Sequence, residues 1–227
     1  MISRSARRSA TCAARPDQPS SDPILSAPRI AAILLAAGES RRMGYPKPLL
    51  RIGDESFISH TMAIVLTIAS RVVIVLGAHG DSIRGAIECG PGITIVENPN
   101  YARGQLSSLK VGLAEAIGGG ADAVIVHLAD HPLVTPATFR ALVDEYSKTR
   151  QPIVVSRYRG RRGHPVIFDR SVFAELMAAS EDEGARVVVN ADPRRVLYVD
   201  VEDPGVVLDL DTPADLANAR LPPPPAA

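Results

Sequence analysis

Residues 30–47, IAAILLAAGESRRMGYPK, decide the fold. From Arg29 to Leu35 the chain is apolar apart from its first residue, as expected of a strand buried on both faces. It then breaks into Ala36-Ala37-Gly38, small residues that let a ligand approach the backbone and its N–H groups. Arg41, Arg42 and Lys47 add positive charge, and Lys47 is held extended between Pro46 and Pro48. In an open α/β sheet, ligands lie beyond the carboxyl ends of the strands, so this loop is a candidate anion site. Composition alone also allows a basic surface turn. The segment is neither a Walker A loop nor a GxGxxG fingerprint.

The same alternation continues outward. Helical periodicity covers Phe57 to Ala69, and Val72–Leu76 is a β-branched strand ending at Gly77. Asp81 to Glu88 reads as a short helix capped by Asp81. Ile93–Val96 is a strand, Gln105 to Ile117 a helix and Ala123–Leu128 a strand. Thr135-Pro136 opens a helix to about Thr149. Ile153–Val155 and Pro165–Phe168 read as strands around a basic loop, Arg157 to Arg162. Ser171 to Ala179 is a helix, Val196–Val201 and Val206–Leu210 are strands, and Asp211-Thr212-Pro213 opens a last helix. The pattern predicts a mostly parallel sheet with helices on both faces. Residues 29–220 form a single domain. Residues 1–28 read as a disordered extension and 221–227 as a proline-rich tail.

Composition excludes several classes. Lys+Arg and Asp+Glu are both 25, so the formal charge is zero, against a general nucleic-acid binder. Two cysteines, Cys12 and Cys89, exclude a disulfide scaffold and a four-thiolate zinc site. No apolar run approaches the roughly 20 residues of a membrane span. The N-terminus lacks a secretory apolar region, which gives a cytoplasmic expectation.

Chemistry-bearing residues follow the strands. Asn98, Gly104, Ser107 and Ser108 lie at a strand end and helix start, suited to a base edge or phosphate. Spacing alone favours helix capping for the two serines. Asp130 closes the strand at Leu128, a natural place for a Mg²⁺ ligand. His131 follows it. Gly163-His164-Pro165, behind four arginines that include Arg162, could hold an anionic acceptor. Asp209 and Asp211 fall on one face of a strand end, and either could be a second metal ligand. Asp215 suits capping. Gly118-Gly119-Gly120-Ala121-Asp122-Ala123 matches GxGxxA literally, but it ends a helix and opens a strand, the reverse of a dinucleotide site.

Taken in order, LLAAGESRRMGYPKPLL, GQLSSLKVGL, LADHPLV, GRRGHPVIFDRSVFAEL and LDLDTPADL resemble the molybdenum cofactor cytidylyltransferase group of the nucleotidyltransferase superfamily. The resemblance spans about residues 29 to 220. It implies a three-layer αβα Rossmann-like fold. It also implies a loop of Leu35, Ala36, Ala37, Gly38, Ser40, Arg41 and Gly44 wrapping base and triphosphate. Lys47 would neutralise the triphosphate, and Arg41 would join the catalytic set. Asn98, Gly104 and Ser108 would serve the nucleotide, with Ser108 a pyrimidine contact. Asp130 and Asp211, with Asp209 beside them, would hold Mg²⁺. His131, Arg162, Gly163, His164 and Pro165 would meet the acceptor. The chain departs from the family in Ala129, where glycine is usual, and in His131, where glutamine or methionine is usual.

The implied reaction is transfer of CMP from CTP to the phosphate of a molybdopterin-type acceptor, with release of pyrophosphate. The product could pass transiently to a molybdoenzyme. CTP is favoured over GTP, and neither nucleic acid nor membrane is a partner. A non-catalytic nucleotide- or cofactor-binding accessory protein of a molybdenum hydroxylase would use the same pocket. A nicotinamide-dependent oxidoreductase is the third reading, and it lacks its fingerprint.

Overall fold

The computed structural model describes residues 27–225. Most of the expected extension, with Cys12, and the last two residues of the tail lie outside them.

The central sheet is built from β1 (Ile30–Ala36), β4 (Arg71–Leu76), β5 (Ile93–Glu97), β6 (Ala123–Leu128), β7 (Ile153–Tyr158), β8 (Arg161–Asp169) and β9 (Val196–Asp200). Their order is β5-β4-β1-β6-β8-β7-β9. β1 pairs in parallel with β4 and β6, β4 with β5, and β7 with β9. Only β8 runs against its neighbours β6 and β7. A two-stranded hairpin, β2 (Arg51–Ile52) and β3 (Glu55–Ser56), stands apart.

Every residue of β1 is buried, because successive side chains enter two different cores. Ala32 and Leu34 pack with α1 (Phe57–Val65), α2 (Gly80–Arg84) and α4 (Pro136–Thr149). Ile33 and Leu35 pack with α3 (Gln105–Gly118), α5 (Phe173–Ala178) and α6 (Arg186–Ala191) on the other face. The result is a three-layer αβα fold with a mixed sheet. A third cluster, with Met43, Leu50, Phe57, Leu210 and Leu216, joins the loop after β1 to α7 (Pro213–Asn218).

Five local expectations are corrected. α1 ends at Val65 rather than Ala69: the Thr67 hydroxyl takes the Ile64 carbonyl, and Ser70 N–H is drawn onto Ile30 O of β1. α2 is capped by His79 in the left-handed conformation, with Asp81 inside its first turn. The basic stretch 157–162 is a tight β-hairpin, with Arg159 and Gly160 both at positive φ between the paired Tyr158 and Arg161. Arg157 is neutralised there by a two-pronged ion pair with Asp200 on β9, at 2.7 Å for each contact. Residues 206–210 are not a strand. A 3₁₀ turn spans Pro204–Val207, because the buried Asp203 carboxylate accepts from Gly205 N, Thr135 N and the hydroxyls of Thr135 and Thr138. That carboxylate also stabilises the positive end of α4, a task expected of the Thr135 side chain. The sequence reading assigned no element to α6.

No helix among the described residues is long and apolar enough to cross a membrane.

Candidate active site

Three segments from distant parts of the chain meet at the carboxyl end of β1 and β6. Lys47, expected in extended backbone between its two prolines, instead opens a short 3₁₀ turn, where Leu50 N–H closes on its carbonyl, and its own N–H donates to Ser40 Oγ at 3.0 Å. Asp130 follows β6 by two residues. Asp211 precedes α7, whose capping box between Thr212 and Asp215 also receives Asp211 N–H, at 3.1 Å. The Lys47 ammonium donates to Asp130 Oδ2 at 2.5 Å and to Asp211 Oδ1 at 2.7 Å. Burial alone would lower the ammonium's pKa, but the two carboxylates outweigh it and hold it above its ordinary value. The hydrogen bond from Lys47 in turn holds the Asp211 carboxyl below its usual range.

Arg42, not Arg41, completes this chain of charges. Its guanidinium donates to the second oxygen of Asp211 at 2.6 Å. Arg41 instead turns to Glu39 at the surface, with a side chain 79% exposed. No one-dimensional signal separates adjacent arginines; only the turn, fixed by Gly44 N–H on Ser40 O, does so.

A cavity of about 360 Å³ lies over the cluster. It is lined by Leu35, Ala36, Ala37, Gly38 and Ser40 from the first loop, by Lys47 and Asp130, and by Gly104 and Ser108. Gly44 and Asn98 are not in its wall. Asn98 lies behind it, buried, and donates through Nδ2 to both Ser107 Oγ and Ser108 Oγ at 2.9 Å. Ser107 also donates to the Asn100 and Gly104 carbonyls. Neither serine hydroxyl caps α3, contrary to the spacing argument; Gly104 is the cap residue. Ser108 accepts from Asn98 and so keeps its own O–H to offer the cavity.

A second cavity of about 670 Å³ shares Leu35, Gln105 and Leu128 with the first. His131, Arg162, Gly163 and His164 line it, together with Arg161, another of the four arginines expected there, and Arg186, which the sequence reading left out. Pro165 is buried behind the wall, its carbonyl accepting from Ser156 Oγ at 2.9 Å. Asp209 belongs to this cavity rather than to the Lys47 cluster. Its Oδ1 lies 2.8 Å from His131 Nε2.

His127, His131 and His164 stack edge to face, with ring centres 5.9 to 6.5 Å apart. Burial, and then the neighbouring rings, push His127 well below its ordinary pKa and His164 down to about 4. Both rings are therefore neutral when folded, at pH values where the unfolded chain protonates them. The unfolded state binds more protons, so their contribution is complete above about pH 6.5 and is lost as pH falls toward 4. Asp211, also shifted downward, adds to stability in the same sense, but its contribution is lost only as pH falls below the ordinary carboxylate range. The melting temperature is expected to fall between pH 7.5 and 5, and His164→Asn to flatten that dependence. A wild-type melting temperature constant over that range, followed by calorimetry, contradicts neutral buried rings.

Two carboxylates converging on one cation present the oxygen-only donor set that suits Mg²⁺, which needs one or two protein carboxylates when it also binds phosphates. Among the described residues no group of three or more His, Cys, Asp or Glu side chains is arranged to hold a metal. A site finished by nucleotide oxygens fits these residues; a self-sufficient protein site does not.

The chain is similar to known proteins over most of its length. Residues 32–196 match the family model for the MobA-like NTP transferase domain. The chain is 25% identical to the molybdenum cofactor cytidylyltransferase of Escherichia coli, over 84% of this chain and 95% of that one. The crystal structure of Rv0371c from Mycobacterium tuberculosis superposes with a TM-score of 0.72 at 32% identity, covering 86% of this chain and 98% of that one. A structure of the same mycobacterial protein in complex with manganese matches at 30% identity and a TM-score of 0.65, covering 84% and 97%. With the family model covering most of the chain and the fold shared with solved relatives, the chain belongs to the MobA-like NTP transferase family and is a nucleotidyltransferase.

Proposed function

We propose that the protein transfers CMP from CTP to the phosphate of a molybdopterin-type acceptor and releases pyrophosphate. The observation that carries this is the Lys47–Asp130–Asp211 cluster beneath a nucleotide-sized cavity that shares a wall with a larger one. The similarity to a cytidylyltransferase supports the choice of donor and acceptor.

In this reading CTP lies in the smaller cavity along the 35–40 loop. The free Ser108 hydroxyl, fixed by Asn98, donates to an acceptor atom on the pyrimidine edge. Lys47 neutralises charge that develops on the α-phosphate oxygens. Asp130 and Asp211 would hold Mg²⁺, which supplies Lewis-acid polarisation of phosphate oxygens when bound. The acceptor enters the larger cavity, where Arg161, Arg162 and Arg186 have no carboxylate partner among the described residues and suit its anionic group. His131, held by Asp209, lines the same cavity. No covalent intermediate is required, because positioning and charge neutralisation suffice for in-line displacement.

Thermal shifts with CTP, GTP, ATP, UTP and NADH, each with and without Mg²⁺, test the donor. A ligand at 100-fold its Kd adds about 2.7 kcal/mol. For a chain of this size that raises Tm by roughly 5 to 11 °C. The expected result is a Mg²⁺-dependent shift with CTP, followed by pyrophosphate release when molybdopterin is added. A shift with GTP alone removes the cytidylyl assignment. CTP binding without pyrophosphate release turns the reading toward an accessory protein.

A further inference from the structure

The cation position between Asp130 and Asp211 is filled by a side chain of the protein itself. The Lys47 ammonium sits 2.5 Å from one carboxylate and 2.7 Å from the other, and only 13% of the side chain is exposed. The second oxygen of Asp211 is taken by Arg42. Two negative and two positive side chains therefore form a neutral cluster, with no charge left over to attract a dication. A divalent ion entering alone must break two charge-assisted hydrogen bonds and stand beside the ammonium it displaces.

The backbone of Lys47 cannot follow its side chain away. It is anchored by Ser40 Oγ, flanked by Pro46 and Pro48, and wound into the 3₁₀ turn. The side chain also lines the smaller cavity. Its free movement is thus a swing between the carboxylates and that cavity. A triphosphate there offers the ammonium a more highly charged partner.

Resting on the nucleotidyl-transfer reading of this site, we propose that Lys47 is a latch. In the nucleotide-free protein it closes the divalent-cation position, and the triphosphate opens that position by drawing the ammonium off. Cation and nucleotide then bind as one unit, and free divalent ion competes poorly for the empty enzyme. The residue that assists the reaction is also the one that keeps its metal out.

The test is Mn²⁺ binding to the full chain, read by electron paramagnetic resonance with manganese chloride alone and then with CTP. Lys47→Met and Lys47→Ala are expected to bind Mn²⁺ without nucleotide at least about 10-fold more tightly than wild type, the equivalent of one charge-assisted contact. Arg42→Ala removes the same formal charge from the same cluster. Arg42 is 71% exposed, however, and exposed pairs contribute little, so this variant is expected to stay within about threefold of wild type. Adding Asp130→Asn to Lys47→Met should abolish the gain. Equal Mn²⁺ affinity in wild type and Lys47→Met overturns the latch. Equal gains in Lys47→Met and Arg42→Ala also overturn it, because a general charge effect then explains both. If CTP fails to bring Mn²⁺ into the wild-type protein, the nucleotide reading fails, while the nucleotide-free comparison still decides the latch.

Discussion

Lys47→Ala is expected to lower kcat by at least ~10²-fold, the loss that follows removal of one preorganised donor to a developing oxyanion. The side chain reaches the nucleotide cavity from a backbone fixed at Ser40, so no neighbouring group can take its place. Arg42 is the nearest other cation in the cluster, and it is committed to the far oxygen of Asp211. Lys47→Arg should not restore turnover, because a planar guanidinium does not fit a position shaped around a point charge between two carboxylates. Steady-state assays of pyrophosphate release check both variants, with circular dichroism to confirm folding. Turnover within tenfold of wild type in Lys47→Ala removes this residue from the catalytic set.

The second large effect is on stability. A Cβ built on Gly163 would sit 1.9 Å from the carbonyl oxygen of Val206. Neither partner can yield cheaply. Gly163 lies in β8, and Val206 lies in the 3₁₀ turn tied to the start of α4 through Asp203. Overpacking of cores costs typically 1–3 kcal/mol, and a backbone-on-backbone clash belongs at the upper end. Gly163→Ala should therefore lower Tm by roughly 6 to 12 °C for a chain of this length. It should also displace residues 206–209 and with them the Asp209 partner of His131. Gly118→Ala meets nothing within 4 Å and is the control, expected within about 0.5 kcal/mol of wild type. Calorimetry decides: an unchanged Tm in Gly163→Ala refutes the close approach of β8 to this turn.

The first half of the fold was legible because its strands are buried on both faces. β1 reads as an unbroken apolar run, β4 as one after its first residue and β6 as one broken only by His127, and glycine, proline or a capping residue marks where most of their helices start or stop. The second half resisted because long-range contacts fix it. Val206 to Leu210 has strand composition, yet Asp203 bends the chain into a turn through partners 65 and 68 residues away. Arg157 to Arg162 has loop composition, yet Gly160 closes it into a hairpin. The site followed the same division. Lys47, Asp130 and Asp211 all stand where the chain leaves or approaches the sheet, so motif order could bring them together. The choice of Arg42 over Arg41 and of His131 as the partner of Asp209 depends on which way a side chain turns. A linear sequence does not carry that direction.

The ion pairs to Asp211 span 164 and 169 residues. The loop that holds the triphosphate in the proposed reaction emerges well before the carboxylate that braces it. At about 5–20 residues per second, the parallel strands β1, β4, β5 and β6 are available to pair several seconds before Asp211 leaves the ribosome. During that interval Lys47 has only one of its two carboxylates and Arg42 has none of the cluster's. A nascent chain can therefore own most of its core and still have no working centre, so competence arrives as a late, single event in the life of each molecule.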